Sequence, residues 1–377
     1  MSEKTINKVP NVPTLRFKNY VYSWELKRLN NIAKIVSGGT PETEKNEYWN
    51  GDILWFTPSE VGHTKFVDNS ERKITQLGLE KSNAKLLPIG TILLSTRATV
   101  GEVSISTKEC TTNQGFQSVI VNKTNNLNFI YYLLQTLKRH FIKYACGSTF
   151  LEISNKEVAK TKIYIPSYIE QTKIGGFLSL IDERIDTQSK IISAIESQIF
   201  SINHLMISKN TETIKLGELC KFEPKTNRKS GDGLESGKYP FFTNEENQTQ
   251  YLDTYDFDGE YIIANTGGKA NFKYYKGKFA AMSDCLILKI NSTDLTTFYS
   301  NVLRGKQAYI NHVGFEGSGL KHLNKDWLLN MQVPTYNKSI RKYLLAIEML
   351  KEKLQKEKDI LSLYKKQKAY LLQNMFI

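Results

Sequence analysis

The sequence predicts an α+β protein assembled twice over. It would have two similar globular domains separated by two long antiparallel coiled-coil helices, the halves forming a pseudo-twofold internal repeat. Three observations predict it. Strings from the first half recur in the second half in the same order. Two long segments carry an apolar seam in alternating steps of four and three. The remainder of each half consists of short strand-like runs bounded by Gly, Pro and Asn.

The repeat begins near residue 24. Trp24-Glu-Leu-Lys-Arg-Leu-Asn-Asn-Ile32 has the apolar pattern of Ile214-Lys-Leu-Gly-Glu-Leu-Cys-Lys-Phe222, with Trp24, Leu26, Leu29 and Ile32 falling on Ile214, Leu216, Leu219 and Phe222. Pro88-Ile-Gly-Thr-Ile-Leu-Leu resembles Phe257-Asp-Gly-Glu-Tyr-Ile-Ile. Gly147-Ser-Thr-Phe matches Gly317-Ser-Gly-Leu, and Asn155-Lys-Glu matches Asn324-Lys-Asp. Ile165-Pro-Ser matches Val333-Pro-Thr, and each proline opens a long helical segment.

In chain order the elements are these. Residues 1–166 form the first domain, with strands expected at Ile53–Phe56, Thr91–Ser95 and Ser118–Val121. A helix from Phe129 to Leu137 puts Phe129, Tyr132, Leu133 and Leu137 on one face. Residues 167–209 form the first long helix, whose seam is Ile174, Leu178, Ile181, Ile185, Ile192, Ile195, Ile199, Ile202 and Met206, interrupted at Gln188. Residues 210–334 form a second domain richer in Gly and aromatics. Residues 335–377 form the second long helix, with Tyr343, Ile347, Leu350, Leu354, Leu361, Tyr364, Lys368, Leu371 and Met375 along its seam. The two seams agree at a spacing of 169 residues, and the polar interruption Gln188 lands on Glu357. If the seams pair, the order domain, helix, domain, helix makes the helices antiparallel with one domain at each end. The stretch Ile174–Met206 would be about 50 Å long. That is roughly one to one and a half turns of B-DNA.

Composition narrows the chemistry. Lys and Arg number 51 against 38 Asp and Glu, a net charge of +13, so a polyanion is the expected large partner. No apolar run reaches the roughly 20 residues of a membrane span, and the opening residues lack a secretory signal. Four cysteines lie far apart with no C-x-x-C pair, which argues against zinc knuckles and a disulfide framework and fits the cytoplasm. The five histidines have no H-E-x-x-H spacing, and no metal site is expected. There is no G-x-x-x-x-G-K-[ST] string, since Gly231–Tyr239 has the wrong spacing, and no F-x-G-x-G or Asn-Pro-Pro segment. No catalytic residue and no cofactor are assigned to this chain. A partner-independent DNA-cleaving or DNA-modifying enzyme stands as the alternative, and a coiled-coil scaffold that binds only proteins as a third reading.

Candidate DNA contacts are polar loops between strands. In Ser37-Gly-Gly-Thr40-Pro41 the glycines would let backbone N–H groups approach a phosphate. Thr96-Arg97-Ala-Thr99 places a guanidinium, able to bond guanine O6 and N7, beside hydroxyls. Gln114 offers an amide suited to adenine. His63, Lys65, Ser148, Thr149 and Ser318 join these. In the second half the candidates are Lys225, Asn227, Arg228 and Lys229, then Asn265, Thr266, Lys269, Asn271 and Lys273. Each loop could equally be an ordinary turn or a solvated charged surface. The lysines late in the second helix read as the solvated face of a coiled coil.

With these residues in hand, the chain resembles the specificity subunit of type I restriction–modification systems. The resemblance runs through Val12-Pro-Thr-Leu-Arg-Phe17, Trp24-Glu-Leu, Gly38-Gly-Thr-Pro41, Tyr48-Trp49, the run Pro88 to Gly101, Thr112-Asn-Gln-Gly-Phe116, Gly147-Ser-Thr-Phe150, and Ile165-Pro166 with Glu170-Gln171. The second half lacks the Gly-Gly-Thr-Pro and Thr-Arg-Ala-Thr strings. The resemblance implies two target recognition domains, each reading one half of an asymmetric bipartite site in double-stranded DNA. The helices would be the ruler between half-sites and the dock for two methyltransferase subunits. Those partners would bind S-adenosylmethionine and methylate adenine N6. Two restriction subunits able to join the complex would bring ATP and Mg²⁺ chemistry.

Overall fold

The computed structural model describes residues 11–147, 151–208, 212–245, 247–317 and 321–377. The chain divides into two compact units: residues 1–188 with 360–377, and residues 189–359. Each unit holds a mixed sheet and a segment of both long helices. The central helix runs Tyr168–Ser208 and the C-terminal helix Arg341–Asn374. The central helix starts in the first unit and ends in the second, and the C-terminal helix does the reverse. The unit boundaries thus cut both helices, whereas the sequence divisions fall at the helix ends.

The first unit contains β1 (Glu25–Arg28), β2 (Ala33–Ser37), β3 (Trp49–Phe56), β4 (Phe66–Val67), β5 (Arg72–Ile74), β6 (Ile92–Leu94), β7 (Val103–Ser106), β8 (Cys110–Thr112), β9 (Gln117–Val121) and β10 (Lys162–Ile165). These form a sheet ordered β2-β9-β6-β7-β4, a sheet β5-β3-β8 and a β1-β10 pair. The middle strand β6 is buried along its whole length, as its unbroken Ile-Leu-Leu run requires. A helix, Leu127–Thr136, is started by the Asn126 side chain accepting from the Phe129 N–H. Its Phe129, Tyr132 and Leu133 share one core with Ile92, Val119 and, from the long helices, Leu178, Ile181 and Leu371.

The second unit contains β11 (Thr213–Lys215), β12 (Lys221–Phe222), β13 (Tyr239–Phe242), β14 (Gln250–Leu252), β15 (Phe257–Asn265), β16 (Phe272–Ala281), β17 (Cys285–Lys289), β18 (Phe315–Glu316), β19 (His322–Leu323) and β20 (Gln332–Pro334). Its main sheet is ordered β12-β17-β15-β16-β13-β14. Inside each unit the order is the same. The long β16 corresponds to β7 and β8 taken together, which residues 107–109 interrupt. Then β13 corresponds to β3 and β14 to β5. The senses agree as well: β3 runs parallel to β8 as β13 does to β16, and the β5 and β14 pairings are antiparallel. In the first unit the interruption splits this order into two sheets, and β4 is an addition.

Hydrogen bonding corrects the repeat's register. The Leu29 N–H donates to the Thr161 carbonyl, and the Leu216 N–H to the Met331 carbonyl. Leu29, not Leu26, is therefore the counterpart of Leu216. Leu26 is 52% exposed, whereas Leu216 is buried. Apolar residues recur every third position at 26, 29 and 32 and at 216, 219 and 222, so the string slides one step without losing its pattern.

The seam residues turn inward. Ile174, Leu178, Ile181, Ile192, Ile195, Ile347 and Leu371 are buried, and Ile185, Ile199, Leu350, Leu354 and Leu361 are partly buried. Each unit also has an ion pair joining its two helix segments. Asp182 meets Lys368 at 2.7 Å in the first, and Glu196 meets Lys358 at 2.9 Å in the second. At the start of the central helix, Glu170 accepts from Arg16 Nε at 2.7 Å, Arg16 Nη2 at 2.8 Å and Trp24 Nε1 at 3.3 Å. Beside it, Gln171 Oε1 accepts from the Asn126 N–H at 2.8 Å, so the Glu-Gln pair fixes the helix to the domain.

Candidate nucleic-acid interface

In the first unit the loop after β6 is held from beneath. Thr96 is buried, and both its N–H and its hydroxyl donate to the Gly115 carbonyl, at 2.7 and 3.0 Å. Its own carbonyl accepts from the Ile153 N–H. With the loop anchored and Ala98 in the left-handed region at φ 62°, Arg97 and Thr99 are carried to the surface. Arg97 Nε and Nη2 donate to Glu152 Oε2 at 3.0 and 2.6 Å, and the Thr99 hydroxyl donates to the Pro58 carbonyl at 3.1 Å. The Gly39 N–H donates to the Thr112 carbonyl at 2.8 Å, and the Thr40 hydroxyl donates to Gln114 Oε1. A Cβ on Gly115 would come 2.9 Å from Pro58 and 3.5 Å from Arg97 Cβ. Thr40, Arg97, Thr99 and Gln114 therefore converge around Gly115.

His63 flanks this surface, its Nε2 lying 3.1 Å from the Ser59 carbonyl. Lys65 does not share it. Its ammonium donates to the Tyr132 hydroxyl at 3.1 Å and to Ser179 at 2.7 Å, and Tyr132 in turn donates to Asp182 at 2.6 Å. Burial lowers the Lys65 pKa, opposed by the Asp182 charge, and burial likewise raises that of the Tyr132 hydroxyl. Lys65 and Asp182 border a cavity of about 430 Å³ against the long helices, with His63, Tyr131 and Lys368. Lys65 ties the domain to its helices, a role set by contacts that its sequence neighbours do not reveal.

The second unit repeats this construction with other side chains. The Thr266 N–H and hydroxyl donate to the Asp284 carbonyl at 3.1 and 2.7 Å, as Thr96 does to Gly115, and the Thr266 carbonyl accepts from the Leu323 N–H. Gly268, at φ 77°, takes the place of Ala98. An isolated antiparallel bridge joins Gly267 to His322, where Arg97 faces Glu152 in the first unit. The Thr226 hydroxyl donates to the Ala281 carbonyl at 2.6 Å, which sets Lys225-Thr-Asn-Arg228 in the place of Gly38-Gly-Thr-Pro41. The strings that the second half lacks are replaced at equivalent positions rather than missing.

The candidates of this half divide accordingly. Lys225, Asn227, Lys229 and Lys269 are exposed. Arg228 is paired with Asp256 at 2.7 Å and donates to Thr254 at 3.0 Å. Asn265 and Thr266 are buried braces, the Asn265 amide donating to the Gly267 and Lys269 carbonyls. Asn271 and Lys273 border a separate cavity of about 460 Å³, with Phe242, Gln248 and Arg304. Lys229 borders another, of about 570 Å³, with Asn244, Ser283 and Asp284. Ser148, Thr149 and Ser318 lie outside the described residues. Glu152 and His322 escaped sequence reasoning because each lies 55 residues from the position it faces.

Donors, amides and cations on anchored loops can bond base edges and phosphates. Among the described residues, no group of three or more His, Cys, Asp or Glu could hold a metal ion, and no helix is long and apolar enough to cross a membrane.

A family model for the type I restriction modification DNA specificity domain matches the chain twice, over residues 22–197 and 208–362. The sequence is similar to the MjaIX type I restriction enzyme specificity subunit of Methanocaldococcus jannaschii. The two are 33% identical over 211 residues, 54% of this chain and 49% of that protein. It is also similar to the EcoR124I/EcoR124II specificity subunit of Escherichia coli, at 30% identity over 175 residues, 45% of this chain and 43% of that one. The chain thus spans about half the length of these curated relatives. In fold it is similar to the crystal structure of a type I system S subunit from M. genitalium, with a TM-score of 0.68 at 19% identity, covering 97% of this chain and 99% of that one.

Proposed function

This chain belongs to the type I restriction–modification DNA specificity family, and we propose that it is the subunit that reads a bipartite, asymmetric DNA site for such a complex. One observation carries the reading. Two units of the same strand order each anchor a loop by the same threonine-to-carbonyl bonds, Thr96 to Gly115 and Thr266 to Asp284, yet present different side chains. Like scaffolds with unlike contacts suit two unlike half-sites. Joining two weak readers in one chain multiplies selectivity through effective concentration.

Two methyltransferase subunits dock on the long helices in this reading. Exposed apolar residues off the seam recur at the repeat spacing, Leu180 with Met349 and Ile191 with Ile360, and offer two like faces to two like partners. The partners bring S-adenosylmethionine and methylate adenine N6, and restriction subunits bring ATP and Mg²⁺. The chain itself contributes recognition and no catalytic group. The unpaired thiols, three of them buried, suit a cytoplasmic setting.

The test is to express the chain with its methyltransferase subunit in a host free of adenine methylation and to map N6-methyladenine across the genome. A two-part motif that disappears without this chain is the expected result. Methylation independent of the chain, or DNA turnover by the purified chain alone, would overturn the proposal.

A further inference from the structure

Arg97 and Glu152 face each other across an isolated bridge, with side chains 43% and 39% exposed. The guanidinium commits one edge, Nε and Nη2, to a single carboxylate oxygen, Oε2. Its end-on edge, Nη1 with the second Nη2 hydrogen, donates to nothing among the described residues. Glu152 Oε1 likewise accepts from nothing among them. The pair therefore presents a donor fork of fixed orientation beside a free acceptor. Guanine offers O6 and N7 to such a fork, and its paired cytosine offers the N4 amino group to such an acceptor. In the second unit the same two backbone positions hold Gly267 and His322. There the guanidinium is gone, and an exposed imidazole takes the place of the carboxylate.

We infer that Arg97 and Glu152 together specify one G·C pair in the first half-site, and that Gly267 and His322 remove that requirement from the second. Arg97 is the specificity-determining residue, and Glu152 both positions it and accepts from the cytosine. The inference rests on the DNA-reading role proposed above and deepens it to one base pair of the first half-site. Glu152 matters through direction: without it the arginine side chain samples several rotamers, and a bidentate contact needs one.

The experiment uses the full chain with its methyltransferase subunit, and methylome sequencing reads both half-sites at once. If the wild type yields no bipartite motif, the DNA-reading role itself fails. Given a motif, Arg97→Ala should relax one invariant G·C pair in the first half-site by roughly 10- to 100-fold. Glu152→Ala should relax the same pair, and Glu152→Gln, which keeps an acceptor oxygen and the side-chain shape, should restore part of the discrimination. The second half-site, unchanged, is the internal control. Relaxation at a pair other than G·C, or an equal loss over all sequences, overturns the inference. Should the Arg97 variant fail to assemble, the double variant Gly267→Arg/His322→Glu decides. A new G·C requirement in the second half-site supports the inference, and an unchanged second half-site overturns it.

Discussion

Glu170→Ala tests how the first domain is fixed to its helix. The Glu170 side chain is 3% exposed and that of Arg16 is 13% exposed, and the carboxylate accepts three hydrogen bonds from Arg16 and Trp24. Arg16 also donates to the Tyr22 carbonyl at 2.6 Å, so the carboxylate helps to hold the chain segment before β1, together with the Leu15 N–H donating to the Asn374 carbonyl. Removing one partner of a buried pair costs about 3–5 kcal/mol, because the other charge is left without its counterion. Arg16 reaches some water, which favours the lower end, about 3 kcal/mol. With a urea dependence of about 2 kcal/mol per molar, the midpoint should fall by about 1.5 M. Trp24, Trp49 and Trp55 lie in the first unit and only Trp327 in the second, so tryptophan fluorescence follows the unit concerned. Arg16→Ala combined with Glu170→Ala should cost clearly less than the two changes added, since the two bonds between them are lost only once and the second change removes just the bond to Trp24 or to the Tyr22 carbonyl. A midpoint shift under about 0.3 M, or simple additivity, would refute the pinning role.

Three further perturbations address other parts of the molecule. Burial, with the Arg304 charge, lowers the Lys351 pKa from 10.5 to about 8. Between those values the unfolded chain holds a proton that the folded one has released, so Lys351 contributes a gain in stability as pH rises through that window, opposite in sign to Cys220 and Cys285, whose thiols burial raises to about 11. Lys351→Met should remove that contribution, read as the difference between variant and wild-type stability in denaturation curves at several pH values, while a pH-independent loss would report the bond that Lys351 donates to buried Asn301 at 3.0 Å. A Cβ on Gly38 would run into the Thr112 and Asn113 carbonyl oxygens, both backbone, so Gly38→Ala should abolish methylation of the first half-site at its normal sequence. Wild-type methylation by that variant would show that this turn does not shape the reading surface. Inserting four residues after Gln188 lengthens the central helix by about 6 Å and rotates its seam. The methylated motif should then change its spacer or vanish, and an unaltered spacer would remove the helix from its role as ruler.

Much of the site was legible in part. Thr40, Arg97, Thr99 and Gln114 converge from three strings of one chain, and each was readable because turn glycines and exposed polar groups announce a loop. Lys65 misled, since its neighbours His63 and Thr64 are exposed while its own ammonium is drawn in by Tyr132 and Ser179. Asn265 and Thr266 look like contacts for the same reason, yet their side chains are consumed in bracing the loop.

By itself, the sequence determined the duplication, the two long helices and their seams. Those depend on a local period: every third or fourth side chain faces the partner helix, whatever the rest of the chain does. Tertiary structure alone decided which residues are equivalent and which meet. Leu29 answers Leu216, Gly267 answers Arg97, and Glu152 reaches Arg97, because hydrogen bonds between strands distant in sequence set the register. An apolar pattern that repeats every three residues fits more than one alignment. A ladder of N–H and C=O groups fits only one, since a shift of one residue turns every side chain to the opposite face.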